Sequence, residues 1–154
     1  MATFRLRDLA LGGLLHDMGK LAVQDAILRK PDSLTDEEFA AIRRHPGDGD
    51  DLLADLGFSA RIRRMVRGHH ERLNGSGYPD GLAACELDLE TRILAVADVY
   101  DALVSPRVYR DAWPAARALA LLREEAGLCF DERCVAALER LVGVAPADDL
   151  PLAA

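Results

Sequence analysis

The chain has 154 residues, enough for one domain with a single hydrophobic core and too few for two. Its 19 Lys plus Arg stand against 26 Asp plus Glu, a net charge of -7 that excludes a general nucleic-acid or anionic-membrane binder, because both need a basic surface. Half of the residues are hydrophobic, no apolar stretch approaches the ~20 residues that span a bilayer, and MATFRLRDLA lacks the apolar core of a secretory signal, so the chain reads as a folded, soluble, cytoplasmic protein.

Helical signals dominate in chain order. Residues 6–19 (LRDLALGGLLHDMG) place Leu11, Leu14, Leu15 and Met18 at helical spacing, which predicts a buried helix ending near Gly19. After a loop containing Lys30-Pro31, Thr35-Asp36-Glu37-Glu38 is a capping box that opens a second helix, which must break or kink at His45-Pro46 and continue from Asp51 to Leu56. Ser59 can cap a third helix whose apolar face is Ile62, Met65 and Val66, continuing by one turn to His69. Residues 72–88 are Gly-rich with two turn signals, an ordered or mobile loop. A strongly apolar fourth helix follows over 89–104, Trp113-Pro114 opens a fifth with Pro114 in its first turn, and Asp131 caps a sixth that runs to about Val142. Alternation of period two is absent, so the expected fold is all-α: a single domain of about six helices over residues 1–142, followed by a disordered tail at 143–154.

The chemistry concentrates in a few places. Cys85, Cys129 and Cys134 are odd in number and form no CxxC pair, so they read as small reduced hydrophobes and not as a disulfide or zinc framework. All four histidines, His16, His45, His69 and His70, fall between residues 16 and 70. His16-Asp17 at a helix end fits either a solvated charge pair on the helix dipole or two ligands to one metal. His69 extends an apolar stripe and points inward, where an imidazole is either hydrogen-bonded in the core or bound to metal. On the fourth helix only Asp98, Tyr100 and Asp101 interrupt the apolar run from Ile93 to Val104, and Asp98 is the carboxylate expected to face inward. A buried carboxylate costs several kcal/mol unless paired with an Arg, used as a cap or bound to metal. Together His16, Asp17, His45, His69, His70 and Asp98 form a nitrogen and oxygen donor set without thiolate, which favours iron, manganese or another divalent first-row ion over structural zinc and suffices for two ions. Such a site is built for phosphate-ester hydrolysis, with Lys20 placed to neutralise a phosphate oxygen.

Five segments carry a resemblance: LLHDMGKLAVQDAILRKP (14–31), LTDEEFAAIRRHPGDGDDLL (34–53), HHERLNGSGYPDGL (69–82), RILAVADVYDALVSPRVYR (92–110) and AGLCFDERCVAAL (126–138). In this order they resemble the HD-GYP domains, a subgroup of the HD phosphohydrolases that degrades cyclic di-GMP in bacterial signalling. The resemblance implies that His16, Asp17, His45, His69, His70 and Asp98 are metal ligands, with Asp17 bridging two ions, most often iron and alternatively manganese. It implies that Lys20 contacts the scissile phosphate, that Gly77, Tyr78 and Pro79 form a loop beside the substrate and toward partners such as diguanylate cyclases, and that Arg107 and Arg110 hold the phosphates of the cyclic dinucleotide. The implied reaction opens the ring to pGpG and continues to GMP.

The chain also departs from the family pattern. That pattern begins with an earlier helical region bearing another metal-ligating histidine, whereas this sequence starts at about the HD helix, and Asp8 is the one candidate side chain within residues 1–15. The expectation is therefore a truncated catalytic domain with apolar surface uncovered on the HD and HHE helices, which a homodimer would cover. Smaller departures are Leu73, Asn74, Val104, Pro106 and Val108. Two readings compete: a metal-dependent cyclic di-GMP phosphodiesterase, or a catalytically impaired module that binds the dinucleotide or a protein partner. A generic HD nucleotidase, which would lack HHE and GYP, is a third.

Overall fold

A computed structural model of the chain describes residues 3–106 and 111–143. Among these residues it is all-α, with two isolated backbone bridges and no strand. The helices are α1 (Thr3–Leu15), α2 (Asp25–Leu28), α3 (Asp36–Arg43), α4 (His45–Asp55), α5 (Ala60–Gly68), α6 (Leu89–Val104), α7 (Ala115–Glu124) and α8 (Glu132–Val142), with tight turns of 3-10 helix at Met18–Ala22 and Ala84–Glu86.

Helix α6 is the axis of the fold. On one side Leu94 joins Leu53, Ile62, Met65 and Val66 of α4 and α5, with Leu9, Leu11 and Leu15 of α1 packed against them. On the other side Val96 joins Leu122, Phe130, Cys134 and Val135. Full burial of each such side chain contributes roughly 1.5–3 kcal/mol. Polar contacts fix the same neighbours: Arg5 of α1 grips Glu90 of α6 with both carboxylate oxygens engaged, and Arg92 donates to Asp131, the N-cap of α8, at 3.0 Å.

Several boundaries differ from expectation, for identifiable reasons. The segment read as one helix over 6–19 is helical only to Leu15, and of α1 only Gly12 is buried; Phe4 and Leu14 are each 78% exposed. The helix cannot run on because the turn at Met18–Ala22 lies against the start of α4, where a Cβ on Gly19 would fall 1.8 Å from the carbonyl oxygen of His45. The expected break at His45-Pro46 separates two helices, and α4 begins there with Pro46 in its first turn, where its missing N–H leaves no intrahelical bond unmade. This break and the short α2 raise the helix count above six. The capping box at Thr35 is formed, with Thr35 Oγ1 accepting from the Glu38 amide and Glu38 accepting from the Thr35 amide. Pro114 is the N-cap of α7 and lies outside its first turn. The uncovered apolar surface expected on two helices is present on α1 only, since Ile62, Met65 and Val66 of α5 are buried. Cys134 is a core residue and Cys129 half-buried, while Cys85 is exposed. Of the tail expected at 143–154, only Gly143 is among the described residues.

Candidate metal centre

Three helix ends meet against the middle of a fourth helix. His16 and Asp17 follow the last turn of α1, His45 opens α4, His69 and His70 follow α5, and Asp98 lies midway along α6. The imidazoles of His16, His45 and His69 each direct Nδ1 at the carbonyl oxygen three residues back, those of Gly13, Ile42 and Val66, all at 2.7 Å. A carbonyl can only accept, so Nδ1 carries the proton and Nε2 of the neutral ring presents a lone pair. This carbonyl support is the arrangement that orients metal-binding histidines.

Those lone pairs converge. His45 Nε2 lies 3.3 Å from His69 Nε2, and both side chains are buried. Asp17 Oδ1 is 3.4 Å from His45 Nε2, while Asp17 Oδ2 and Asp98 Oδ1 are each 3.5 Å from His16 Nε2; Asp98 Oδ2 is 3.9 Å from His70 Nδ1. The donor atoms of His45, His69 and His70 lie within 4.8 Å of one another, and so do those of His16, Asp17 and His69. Lys20 donates to Asp17 Oδ2 at 2.7 Å.

The electrostatics fit a cation. Burial pushes His69 down to about 4 and His70 down to about 3, so both rings are neutral at neutral pH. His16 is raised by its contact with Asp98 against the opposing effect of burial. Burial acts to raise Asp17 and Asp98, but for Asp17 the contacts with His45 and Lys20, and for Asp98 the contact with His16, outweigh it and hold both carboxylates below their usual range. Asp17 Oδ1 is buried without a hydrogen-bond donor. Two facing lone pairs and an orphaned carboxylate oxygen are what a divalent ion would satisfy, and the absence of thiolate matches a hard or borderline metal.

The remaining expected residues divide. Tyr78 stacks on His70, with ring centroids 4.7 Å apart at 29°, and its amide donates to the His70 carbonyl oxygen at 3.3 Å. Burial raises its phenol to about 12, so the ring stays neutral. Gly77 is required by packing, since a Cβ there would lie 2.4 Å from Glu71 Cα, and Pro79 follows Tyr78 through a cis peptide bond on the exposed side of the loop. Asp8 pairs with Arg61 at 3.3 Å and Asp101 is exposed, so neither joins the cluster. Arg107 and Arg110 lie outside the described residues.

Three residues carry parts that the sequence reading did not assign. Glu71 is buried, and its carboxylate accepts the amides of Asp80, Gly81 and Leu82 at 2.7, 3.1 and 3.0 Å, clamping the 77–82 loop to the end of α5. Its place between a histidine pair and a Gly-rich loop was the available signal. Arg43 lies 4.5 Å from the Tyr78 ring centroid, and Arg72 lines the cavity beside the cluster. Neither arginine is distinguishable in sequence from those on solvated helix faces. That cavity has a volume of about 440 Å³ and is also walled by Asp17, Lys20, His45, His70, Tyr78 and Asp98.

A family model described as HD domain matches residues 1–134. The chain belongs to the HD domain family. Its HHE and Gly77-Tyr78-Pro79 segments make this HD domain a member of the HD-GYP subgroup, within a family that binds divalent metals. It is 46% identical over 142 residues to the cyclic di-GMP phosphodiesterase response regulator RpfG of Xanthomonas campestris pv. campestris, covering 88% of this chain and 36% of that protein. It is 41% identical over 133 residues to the 3'3'-cGAMP-specific phosphodiesterase 3 of Vibrio cholerae, covering 86% of this chain and 29% of that one. An HDG"Y"P protein from Bdellovibrio bacteriovorus shares the fold, with a TM-score of 0.75 at 23% identity over 94% of this chain and 46% of that chain. This HD domain therefore spans roughly a third of the length of the curated relatives it matches. Among the described residues no helix is long and apolar enough to cross a membrane.

Proposed function

We propose that this HD-GYP domain is a metal-dependent phosphodiesterase that opens cyclic di-GMP to pGpG and then releases GMP, acting in the cytoplasm in second-messenger signalling. The observation that carries the reading is the convergence of His16, His45 and His69 through Nε2 with the carboxylates of Asp17 and Asp98. His16, Asp17, His45, His69, His70 and Asp98 would hold two divalent ions, with iron the first choice and manganese the second for a nitrogen and oxygen set. Asp17 fits a bridging role because its two oxygens face different histidines, His45 and His16. Bound divalent ions supply activation of water and Lewis acidity at the phosphate.

The chain's own groups do the rest. In the hydrolysis a water oxygen bonds to phosphorus, the bond from phosphorus to one ribose oxygen breaks, and that oxygen leaves with a proton. Lys20 sits at the cavity wall against Asp17, where its ammonium offsets charge gathering on a non-bridging oxygen. Tyr78, on the loop with Gly77 and Pro79, fences the cavity over His70 and limits bulk water there. Arg107 and Arg110 are the proposed forked partners of the substrate phosphates. The same loop is the proposed contact with diguanylate cyclase partners, and the exposed Phe4 and Leu14 of α1 the proposed homodimer contact.

The test is metal analysis of the purified chain, paired with chromatographic detection of pGpG and GMP and a His69→Ala control. Copurifying iron or manganese with product release that the substitution abolishes is expected. A preparation reconstituted with either metal that binds cyclic di-GMP and never cleaves it would overturn the reading in favour of a binding module.

A further inference from the structure

Beside the His and Asp cavity lies a second one of about 670 Å³, between the chain around α2 and helix α3. The two share Lys20 and Ile42 as walls, so they adjoin at these side chains. The second cavity has the volume of a small-molecule site, commonly about 300–1,000 Å³. Its sides are apolar, from Ile27, Leu28, Leu34 and Ile42, and its polar groups include the carboxylate of Asp32. The outer wall is tied in place, because Lys30 donates to Glu38 at 2.6 Å and so joins the α2 segment to α3.

We infer that this groove holds the second nucleoside of a cyclic dinucleotide whose first phosphate lies at the His and Asp cluster, and that Asp32 selects guanine there. The inference rests on the phosphodiesterase reading above. A cyclic dinucleotide cannot end at the reacting phosphate: its other half must lie alongside, and the apolar groove adjoins the His and Asp cavity at Lys20 and Ile42. Aliphatic walls suit the flat faces of a purine. At the purine edge guanine presents two adjacent N–H donors, which one carboxylate accepts as a pair, whereas adenine presents one donor beside a ring nitrogen that repels a carboxylate. Asp32 belongs neither to the proposed metal set nor to the groups given a part in hydrolysis, so it acts on which dinucleotide is held.

The experiment titrates the full chain as isolated, with hydrolysis-resistant phosphorothioate analogues of cyclic di-GMP and cyclic di-AMP, in the wild type, Asp32→Asn and Leu34→Trp. Asp32 is exposed, so its substitution leaves folding intact, which circular dichroism verifies. The expected result is that Asp32→Asn weakens the guanine analogue about tenfold, as loss of a bidentate base contact does, and strengthens the adenine analogue, whose ring nitrogen an amide N–H can meet. Leu34→Trp, which fills the groove, weakens both. If the wild type binds the guanine analogue and both variants bind it equally well, or if Asp32→Asn weakens both analogues alike, the inference fails while the phosphodiesterase reading stands. Wild-type protein that binds neither analogue and releases no product from cyclic di-GMP would overturn the phosphodiesterase reading and the groove with it.

Discussion

His45 and His69 face each other through Nε2 at 3.3 Å while each gives its Nδ1 proton to a carbonyl in its own chain segment. Two neutral imidazoles in this relationship have no hydrogen to share between them. Protonating His69 is opposed by burial, which lowers it to about 4. The contact is therefore unfavourable for the protein alone and favourable around a cation, so metal should stabilise the fold. A ligand that binds only the native state adds about 2.7 kcal/mol when free at a hundredfold excess over its Kd. Thermal unfolding with and without a chelator should show a lower Tm after metal removal, restored by manganese. In His69→Ala the restoration should vanish; a Tm indifferent to chelation and to metal would contradict the arrangement.

Gly19 is a second pressure point on the same cluster. A Cβ there would overlap the His45 carbonyl and would also sit 2.6 Å from the Gly49 amide nitrogen, both of them backbone atoms that cannot rotate aside. Overpacking of this kind costs about 1–3 kcal/mol where the neighbours can shift, and the neighbour here carries a proposed ligand. Gly19→Ala should lower stability by about 3 kcal/mol in urea titration and displace the 16–17 turn from His45, with metal content reduced in parallel. Full metal content at wild-type stability would show that the approach is looser than 1.8 Å implies.

Glu71 gives a separable test of the loop. Its carboxylate is the acceptor for three consecutive amides, so Glu71→Ala leaves Asp80, Gly81 and Leu82 without partners, at about 1–3 kcal/mol for each group that stays buried. Amide exchange at residues 80–82 should accelerate, and Tyr78 should loosen from His70. Glu71→Gln keeps one accepting oxygen and should recover part of the protection. Unaltered exchange in Glu71→Ala would remove the clamp.

Much of this was legible in the sequence where local chemistry decides. The Thr35 box, the Ser59 and Asp131 caps and the limits of α6 follow from short-range hydrogen bonding and apolar spacing, and the structure has them. The end of α1 was not legible, because Leu14 and Met18 continue a helical pattern that only the approach of α4 to Gly19 interrupts. The convergence of His16, His45 and His69 follows from three helix ends meeting, a tertiary fact that residue type can suggest but not place. The anchoring of each Nδ1 on the carbonyl three residues earlier is invisible until those ends are helical. Glu71 was visible as a motif letter, but its role depends on a loop folding back over nine to eleven residues.

The acid limb of stability tests the links that hold α6. Glu90 lies below the usual carboxylate range because of its hydrogen bonds to Arg5 and the charge of that guanidinium. For Asp131, burial acts to raise the carboxyl, and the Arg92 hydrogen bond with the Arg133 and Cys134 amides outweighs it and brings it down. A carboxyl lowered on folding stabilises the native state fully above its unfolded pKa, near 4, and that contribution is lost as pH falls through the lower folded value. Stability should thus be flat in these groups from neutral pH to about 5 and decline below about 4. Glu90→Gln removes one titrating group, so the slope of unfolding free energy against pH below about 4 should be shallower than wild type by up to about one proton. His69 and His70 also titrate in acid, but they do so in both proteins and cancel in the difference. An identical slope in the two proteins would mean that Arg5 does not hold Glu90 ionised, and that the α1 to α6 contact rests on Leu94 and its apolar neighbours alone.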